Sequence, residues 1–390
     1  MKIALISHLY PTKLYPYQGK FIKDQYDLLS KDGTDEVELI VPTPYTIPLT
    51  NRSKAAGSEL LCDSSKSTQV KYLSFPRRRL PKIISNSISK KITSFLKDRN
   101  IDLAHVHWAY PDGLIIPELK KNGIKTVLTI HGSDWYQTKD TRVLSELIQE
   151  SLHEADRILY SGPLLKKDIE SRFPELSKKS DIIYNMVDTE SYTPLSVDEK
   201  KKIRTKLSWD RSKKHALTVA NLRHEKGLDL LIKTVSENQD LADIQFHIVG
   251  NRENTEYSNS VIKSIEDNPF NNIDLIPAVP PKNLISYYQA ADFYILPRRR
   301  EGFNVSILEA SASGLPLVCT DVGGNIEVIK KGAGLITQDM EKEGASDIIK
   351  MSETYSEFRP EELNQLIRAN YGKSAFLKRL FKNYKLALNS

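Results

Sequence analysis

The chain has 390 residues, 39% hydrophobic and 27% charged, with a net charge of +6; these proportions describe a soluble globular protein long enough for two ordinary domains. No apolar run approaches the ~18 residues of a membrane-spanning helix. Two distant cysteines, Cys62 and Cys319, give no disulfide framework, fit a reduced cytoplasmic setting and form no zinc-spaced cluster.

The N-terminus MKIALISHLYP carries a short apolar run broken by His8, with no small-residue cleavage site after it, so no leader peptide is expected. From there, short apolar runs alternate with amphipathic stretches. Strands are expected at 2–8, 37–42, 103–108, 126–131, 157–162 and 181–185, and a second series at 215–221, 244–250, 273–279, 293–297, 315–320 and 333–337. Most are apolar on both faces, as in a buried parallel sheet. Helical patterns between them, such as 228–235 and 284–290, imply βαβ units. The expected class is α/β: two Rossmann-like domains facing a cleft, residues 1–187 and 188–363. A turn-rich break near 185–194 separates them, and a basic helix follows at 364–390.

Charge is unevenly placed. Residues 1–187 hold 28 Lys and Arg against 22 Asp and Glu; the remainder holds 28 against 28. Residues 64–97 hold nine bases and no acid, with Arg77, Arg78 and Arg79 in a row. Such a run is either a solvated face or a patch for an anionic membrane surface, a phosphorylated substrate or nucleic acid. The stripe Leu80, Ile84, Ile88, Ile92 and Phe95 that follows reads as core packing.

In open α/β sheets ligands bind at the carboxyl ends of strands. After the first strand, Gly19 precedes a helix and would let backbone approach a phosphate. After the fourth, His131-Gly132 points into the expected cleft. His105 and His107 alternate in their strand, so one of them is expected to be a core or cleft-wall residue. After the strand at 215–221, Arg223 and Lys226 precede Gly227 and a helix start, a pattern suited to phosphate. Gly250 ends the next strand with another close backbone approach.

The stretch Arg300–Pro316, REGFNVSILEASASGLP, sets Glu301 in a loop and Glu309 inside a helix that starts near Asn304 and stops at Gly314. Eight helical residues turn the chain by about 800°, so the two acids would not align on one helix. Glu309 lies among apolar neighbours and needs a partner, either ligand hydroxyls or a buried base. Amides around Asn304 and Val305 could accept an anion.

These residues resemble family 4 retaining glycosyltransferases of the GT-B fold. EGFNVSILEASASGLP is similar to that family's E-x7-E motif, TIHGSD to its histidine motif, and YPTKLYPYQGKFIKDQ to its N-terminal acceptor-side loop. YNMVDTESYTP resembles the interdomain segment, NLRHEKGLDLLI the G-R-L-x-x-x-K-G motif, and TDVGGNIEVI the T-x-x-G-G-x-x-E segment. The resemblance covers nearly the whole chain. It implies a nucleotide-sugar donor as substrate, no metal and no cofactor. It also implies a glycan or lipid-linked acceptor and no nucleic acid partner, with the enzyme in the cytoplasm or peripheral on the inner membrane face.

Carried over, Glu309 would hold the ribose hydroxyls and Glu301 the hydroxyls of the donor sugar. Lys226 would bind the diphosphate with the amides near Asn304 and Val305, flanked by Gly302 and Phe303. His131 would reach the sugar, Gly19 would lie by the phosphates, and the last helix would cross back to the first domain. Four positions depart from the pattern: Asn221 replaces the G-R-L arginine, Arg298 a serine, and Tyr184 and Met186 the interdomain proline and glycine. Arg223 or one of Arg298, Arg299 and Arg300 is expected to supply the missing charge. A nucleotide-sugar epimerase, or a degenerate accessory subunit, are the competing expectations.

Overall fold

The computed structural model describes residues 1–16, 18–32, 36–46, 58–62, 66–299 and 303–390. Glu301, Gly302 and Arg300 therefore lie outside the described residues. The chain divides into two units, Met1–Tyr184 with Leu377–Ser390, and Asn185–Phe376.

The first unit is a seven-stranded sheet in the order β3-β2-β1-β4-β5-β6-β7. Its strands are β1 (Lys2–Ile6), β2 (Glu36–Thr46), β3 (Ser67–Ser74), β4 (Leu103–His107), β5 (Lys125–Ile130), β6 (Arg157–Tyr160) and β7 (Ser180–Ile182). Every pairing is parallel. Helices cover both faces, so Ile3, Ala4, Leu5 and Ile6 are all fully buried, alternation notwithstanding. Helix α1 (Lys20–Asp32) follows Gly19 and α2 (Pro81–Leu96) follows the arginine triplet. The apolar stripe of α2 buries Ile84, Ile88 and Ile92 completely, each worth about 1.5–3 kcal/mol. Leu80 instead precedes the helix, in a left-handed conformation, half exposed.

The second unit is a six-stranded parallel sheet in the order β10-β9-β8-β11-β12-β13. Its strands are β8 (Lys214–Val219), β9 (Ile244–Gly250), β10 (Ile273–Pro277), β11 (Phe293–Leu296), β12 (Leu317–Thr320) and β13 (Gly334–Thr337). Both sheets reverse direction beside their first strand, at β1/β4 and at β8/β11. That is the topological switch point, where a crevice opens at the strand carboxyl ends. Three helices of this unit matter below: α3 (Leu228–Ser236), α4 (Val305–Ala312) and α5 (Pro360–Tyr371).

Two features differ from the sequence reading. β3 was not expected: it is an edge strand, half-buried, with Lys71 exposed, and its weak alternation hides within the basic run. Residues 364–388 do not form one helix. α5 ends at Gly372, and a separate helix α6 (Lys373–Leu388) follows. From Leu377 onward α6 belongs to the first unit. There the Tyr384 hydroxyl meets His105 Nδ1 at 2.8 Å, and Asn383 Oδ1 accepts from Arg157 Nη2 at 2.8 Å.

Candidate functional site

In the first unit the loops after β1, β4 and β5 converge. Gly19 has φ +70°, and a Cβ there would sit 2.4 Å from the Leu9 carbonyl oxygen, so this loop needs a glycine. His131, the first residue after β5, is half-buried. Its ring lies 4.3 Å from Trp108 and 5.0 Å from Phe21 between centroids. His131 Nε2 meets His107 Nδ1 at 3.0 Å. Burial, then the charge of His8, pushes the His131 imidazole down to about 3, so it is neutral near pH 7.

Asp134 fixes this corner. Its carboxylate accepts the amides of Ala109 at 2.6 Å, Gly132 at 2.8 Å and His131 at 3.2 Å, while burial raises it to about 6. His105 and His107 are both buried, with ring centroids 4.2 Å apart. Residues i and i+2 of a strand share a face, so the expectation that only one of the pair would be a core or wall residue is corrected. Gln25 Nε2 donates to His105 Nδ1 at 3.0 Å, so the His105 proton sits on Nε2 and goes to Thr129 Oγ1 at 2.7 Å.

Beside this corner the unit has a cavity of about 740 Å³, lined by strand-end residues that include Tyr10, Tyr72, Trp108, Tyr110, Arg77 and Arg78. Arg79 is exposed and does not line it.

In the second unit the loops after β8 and β11 are stitched together. A Cβ on Gly227, φ +67°, would lie 1.8 Å from the Pro297 carbonyl oxygen. The Arg299 amide donates to the Glu225 carbonyl at 3.0 Å, and the Arg299 guanidinium forks onto Asp229 at 2.7 and 2.6 Å. Arg223 turns the other way, with its Nε 2.5 Å from Glu253 Oε1. Arg298 is 7% exposed, and Thr320 Oγ1 donates to its carbonyl at 2.7 Å. Burial holds the Arg298 guanidinium down to about 10. Lys226 is pushed down to about 7, first by burial and then by the charge of Arg298. Two basic residues thus stand in the adjoining loops after β8 and β11.

Gly250 abuts the Ala220 carbonyl, where a Cβ would stand at 1.9 Å. Asn304 caps α4, its Oδ1 accepting the Ser306 amide at 3.2 Å. Val305 opens that helix half-buried. Phe303 is buried, its ring 5.6 Å from Tyr371, and it fills the space a side chain on Gly324 would need. Glu309 Oε2 accepts from the Tyr288 hydroxyl at 2.8 Å. One of its partners is thus a protein hydroxyl, a kind the sequence reading did not name. Tyr288 was invisible to motif spacing because it comes from the helix before β11.

The sequence profile of the family described as Glycosyltransferase Family 4 matches residues 31–191, and that of Glycosyl transferases group 1 matches residues 199–371. The chain belongs to the family 4 glycosyltransferases. It is similar to a putative teichuronic acid biosynthesis glycosyltransferase of Bacillus subtilis (strain 168). The two are 24% identical over 409 aligned residues, covering 99% of this chain and 98% of the relative. Among solved structures, it shares its fold with sucrose-phosphate synthase of Thermosynechococcus elongatus (TM-score 0.74, 16% identity, 99% and 98% covered). It also shares it with Anabaena HepE in complex with UDP-glucose (TM-score 0.70, 14% identity, 99% of each chain).

This glycosyltransferase therefore has the GT-B class of fold, two parallel sheets with flanking helices. Its second unit brings Lys226, Arg298, Asn304, Val305 and Glu309 to the same end of one sheet. His131 and Gly19 stand together at the corresponding end of the other. Among the described residues, no helix is long and apolar enough to cross a membrane, and no group of three His, Cys, Asp or Glu is placed to hold a metal.

Proposed function

We propose that this glycosyltransferase takes a sugar from a UDP- or GDP-sugar and passes it, with retention, to a lipid-linked or polysaccharide acceptor in cell-surface glycan synthesis in the cytoplasm. The observation that carries the reading is that the loops holding Lys226 and Arg298 are pinned together at the strand ends, through Gly227 against Pro297 and the Arg299 amide on Glu225, with α4 following the second loop. Burial and then the charge of Arg298 oppose the Lys226 ammonium, and a diphosphate relieves that opposition. The helix N-terminus adds amides and a partial positive charge aimed at the same anion.

In the transfer, the bond from sugar C1 to the leaving phosphate oxygen breaks and a bond from C1 to the acceptor oxygen forms. The acceptor proton passes to the departing phosphate. Charge builds on that phosphate while the ring becomes oxocarbenium-like. Lys226, Arg298 and the amides of Asn304 and Val305 stabilise it without a metal, and one such preorganised donor is typically worth about 2.7–4 kcal/mol. Glu309, steadied by Tyr288, holds ribose hydroxyls, and Glu301 reads the hydroxyls of the donor sugar. His131 is neutral, so it serves as a hydrogen-bond partner to the sugar and not as a proton donor of imidazolium type. His107 Nε2 is buried without a partner, which favours the tautomer with the His107 proton on Nδ1. His131 Nε2 then accepts, and its Nδ1–H is left for a substrate oxygen. The solved relative holding UDP-glucose and the cell-wall polymer in the Bacillus relative's name support the donor class and the setting.

The test is a thermal-shift panel of UDP-, GDP- and ADP-sugars, followed by slow donor hydrolysis. One sugar nucleotide should raise the melting temperature, with hydrolysis lost in Lys226→Ala and Glu309→Ala. If no sugar nucleotide shifts the melting temperature, the donor assignment is wrong.

A further inference from the structure

The cavity of the first unit carries a charge pattern that glycosyl transfer alone does not require. Its walls are aromatic, with Tyr10, Tyr72, Trp108 and Tyr110 among them. Flat aromatic faces of this kind suit sugar rings, and about 740 Å³ falls within the usual range for small-molecule sites. Its rim is cationic. Arg77 and Arg78 both line it, and among the described residues neither forms an ion pair. Among the described residues Asp134 is the carboxylate in the lining, and its oxygens already hold three backbone amides. His8 is paired with the carboxylate of Asp112 at 2.8 Å.

Arg78 is also held in place. Arg78 donates from Nη1 to the Gln137 carbonyl at 2.9 Å and from Nη2 to Gln137 Oε1, with its guanidinium carbon 5.7 Å from the Tyr110 ring centroid. Arg77 and Arg78 adopt φ of +56° and +57°. A left-handed conformation costs a non-glycine residue roughly 1–2 kcal/mol, and such strain persists where the surroundings fix it and often marks ligand clamps. A solvated charge run would need neither the strain nor the anchoring.

We propose that this cavity binds an anionic acceptor, a sugar bearing a carboxylate or a phosphate, with the ring against the aromatic wall and the charge on Arg77 and Arg78. The inference rests on the reading of the chain as a glycosyltransferase whose acceptor enters the first unit. Arginine suits both anions, because its fork meets carboxylate and phosphate oxygens two at a time.

The experiment measures binding of glucose, glucuronate and glucose 6-phosphate to the full chain at matched ionic strength. The same titrations are run on Arg77→Gln/Arg78→Gln, with UDP binding as the control for an intact second unit. At least one charged sugar should bind tenfold or more tighter than glucose, equivalent to about 1.4 kcal/mol. The double variant should lose that preference while glucose and UDP bind as before. Preference for glucuronate identifies a uronic acid acceptor, and preference for glucose 6-phosphate a phosphorylated one. Equal binding of the three sugars, no binding of any, or a preference that survives in the double variant overturns the proposal. Failure of the donor reading is separate: no sugar nucleotide binds, while an arginine-dependent preference for charged sugars remains.

Discussion

Lys226 should make donor affinity depend on pH above neutrality. Its ammonium is held down to about 7 in the ligand-free site, by burial and then by Arg298. An ordinary lysine titrates near 10.4. A bound diphosphate favours the charged form, so binding takes up a proton, and affinity falls as pH rises above 7. Between pH 6 and pH 9 the charged fraction of free Lys226 drops from about nine-tenths to about one-hundredth. The donor Kd should therefore rise about 100-fold, or about 2.7 kcal/mol at 1.36 kcal/mol per pH unit. Arg298, at about 10, stays largely charged throughout, and the buried imidazoles stay neutral. The diester phosphates of a sugar nucleotide keep their charge over the same range. Isothermal titration at several pH values, in two buffers of different ionisation enthalpy, measures both Kd and proton uptake. Lys226→Arg should flatten the profile because its charge does not titrate. A flat profile in the native protein, or an equal slope in Lys226→Arg, refutes the assignment of Lys226 to the diphosphate.

The neighbouring arginines should separate in the same assay: Arg298→Gln should weaken donor binding roughly 10- to 100-fold, as expected for losing a charged hydrogen bond. Arg299→Gln should leave Kd within a few-fold but lower the melting temperature, since it breaks the fork onto Asp229; the reverse pattern would exchange their roles. Gly227→Ala should cost at least about 1–2 kcal/mol of stability from its left-handed backbone alone, with more from the clash at Pro297, and an unchanged denaturation midpoint would contradict the close packing of the two loops. His105 and His215, held at about 3 and about 4 by burial, lie below their unfolded value, so the stability they contribute is complete above about pH 6.5 and declines as pH falls. At pH 5 each should remove about 2 kcal/mol, partly offset by Asp134, whose raised value works in the opposite direction; urea midpoints that do not move between pH 7 and pH 5 would refute this.

Much of the architecture was legible because parallel strands covered on both faces read as continuous apolar runs. β1 and β11 are of this kind. β3 escaped because an edge strand buries only part of one face, and Lys71 and the following arginines disguise it as a solvated stretch. In the site, the glycine turns at Gly19, Gly227 and Gly250 were visible, since each precedes a helix or ends a strand where backbone must pass closely. What no spacing could show is how chemically identical neighbours divide. Arg298 points into the protein and Arg299 forks onto Asp229, although both follow the same strand. Nor could spacing pair Glu309 with Tyr288 or His105 with Tyr384. Those contacts depend on which helix the fold lays over which strand end.

Asn221 shows how the site accommodates the arginine it lacks. At the position of the G-R-L arginine, Asn221 Oδ1 accepts the Asn251 amide at 3.0 Å, and the Leu222 amide donates to the Asn251 carbonyl at 3.0 Å. The short side chain therefore closes the loop after β9, a task a guanidinium, which has no acceptor, cannot perform. If Arg298 takes over the cationic role, it does so from the neighbouring strand. β11 pairs directly with β8, and its loop is pinned to the Lys226 loop at Gly227 and Glu225. A charge at the end of β11 thus stands in the loop pinned to that of Lys226, and after burial it is what lowers that lysine. The double substitution Asn221→Arg/Arg298→Ser tests this directly. It returns both positions to the family pattern, and if the exchange is compensatory it should preserve donor affinity better than Arg298→Ser alone. Equal loss in the single and double variants would mean that Arg298 serves an anion that an arginine at 221 cannot reach.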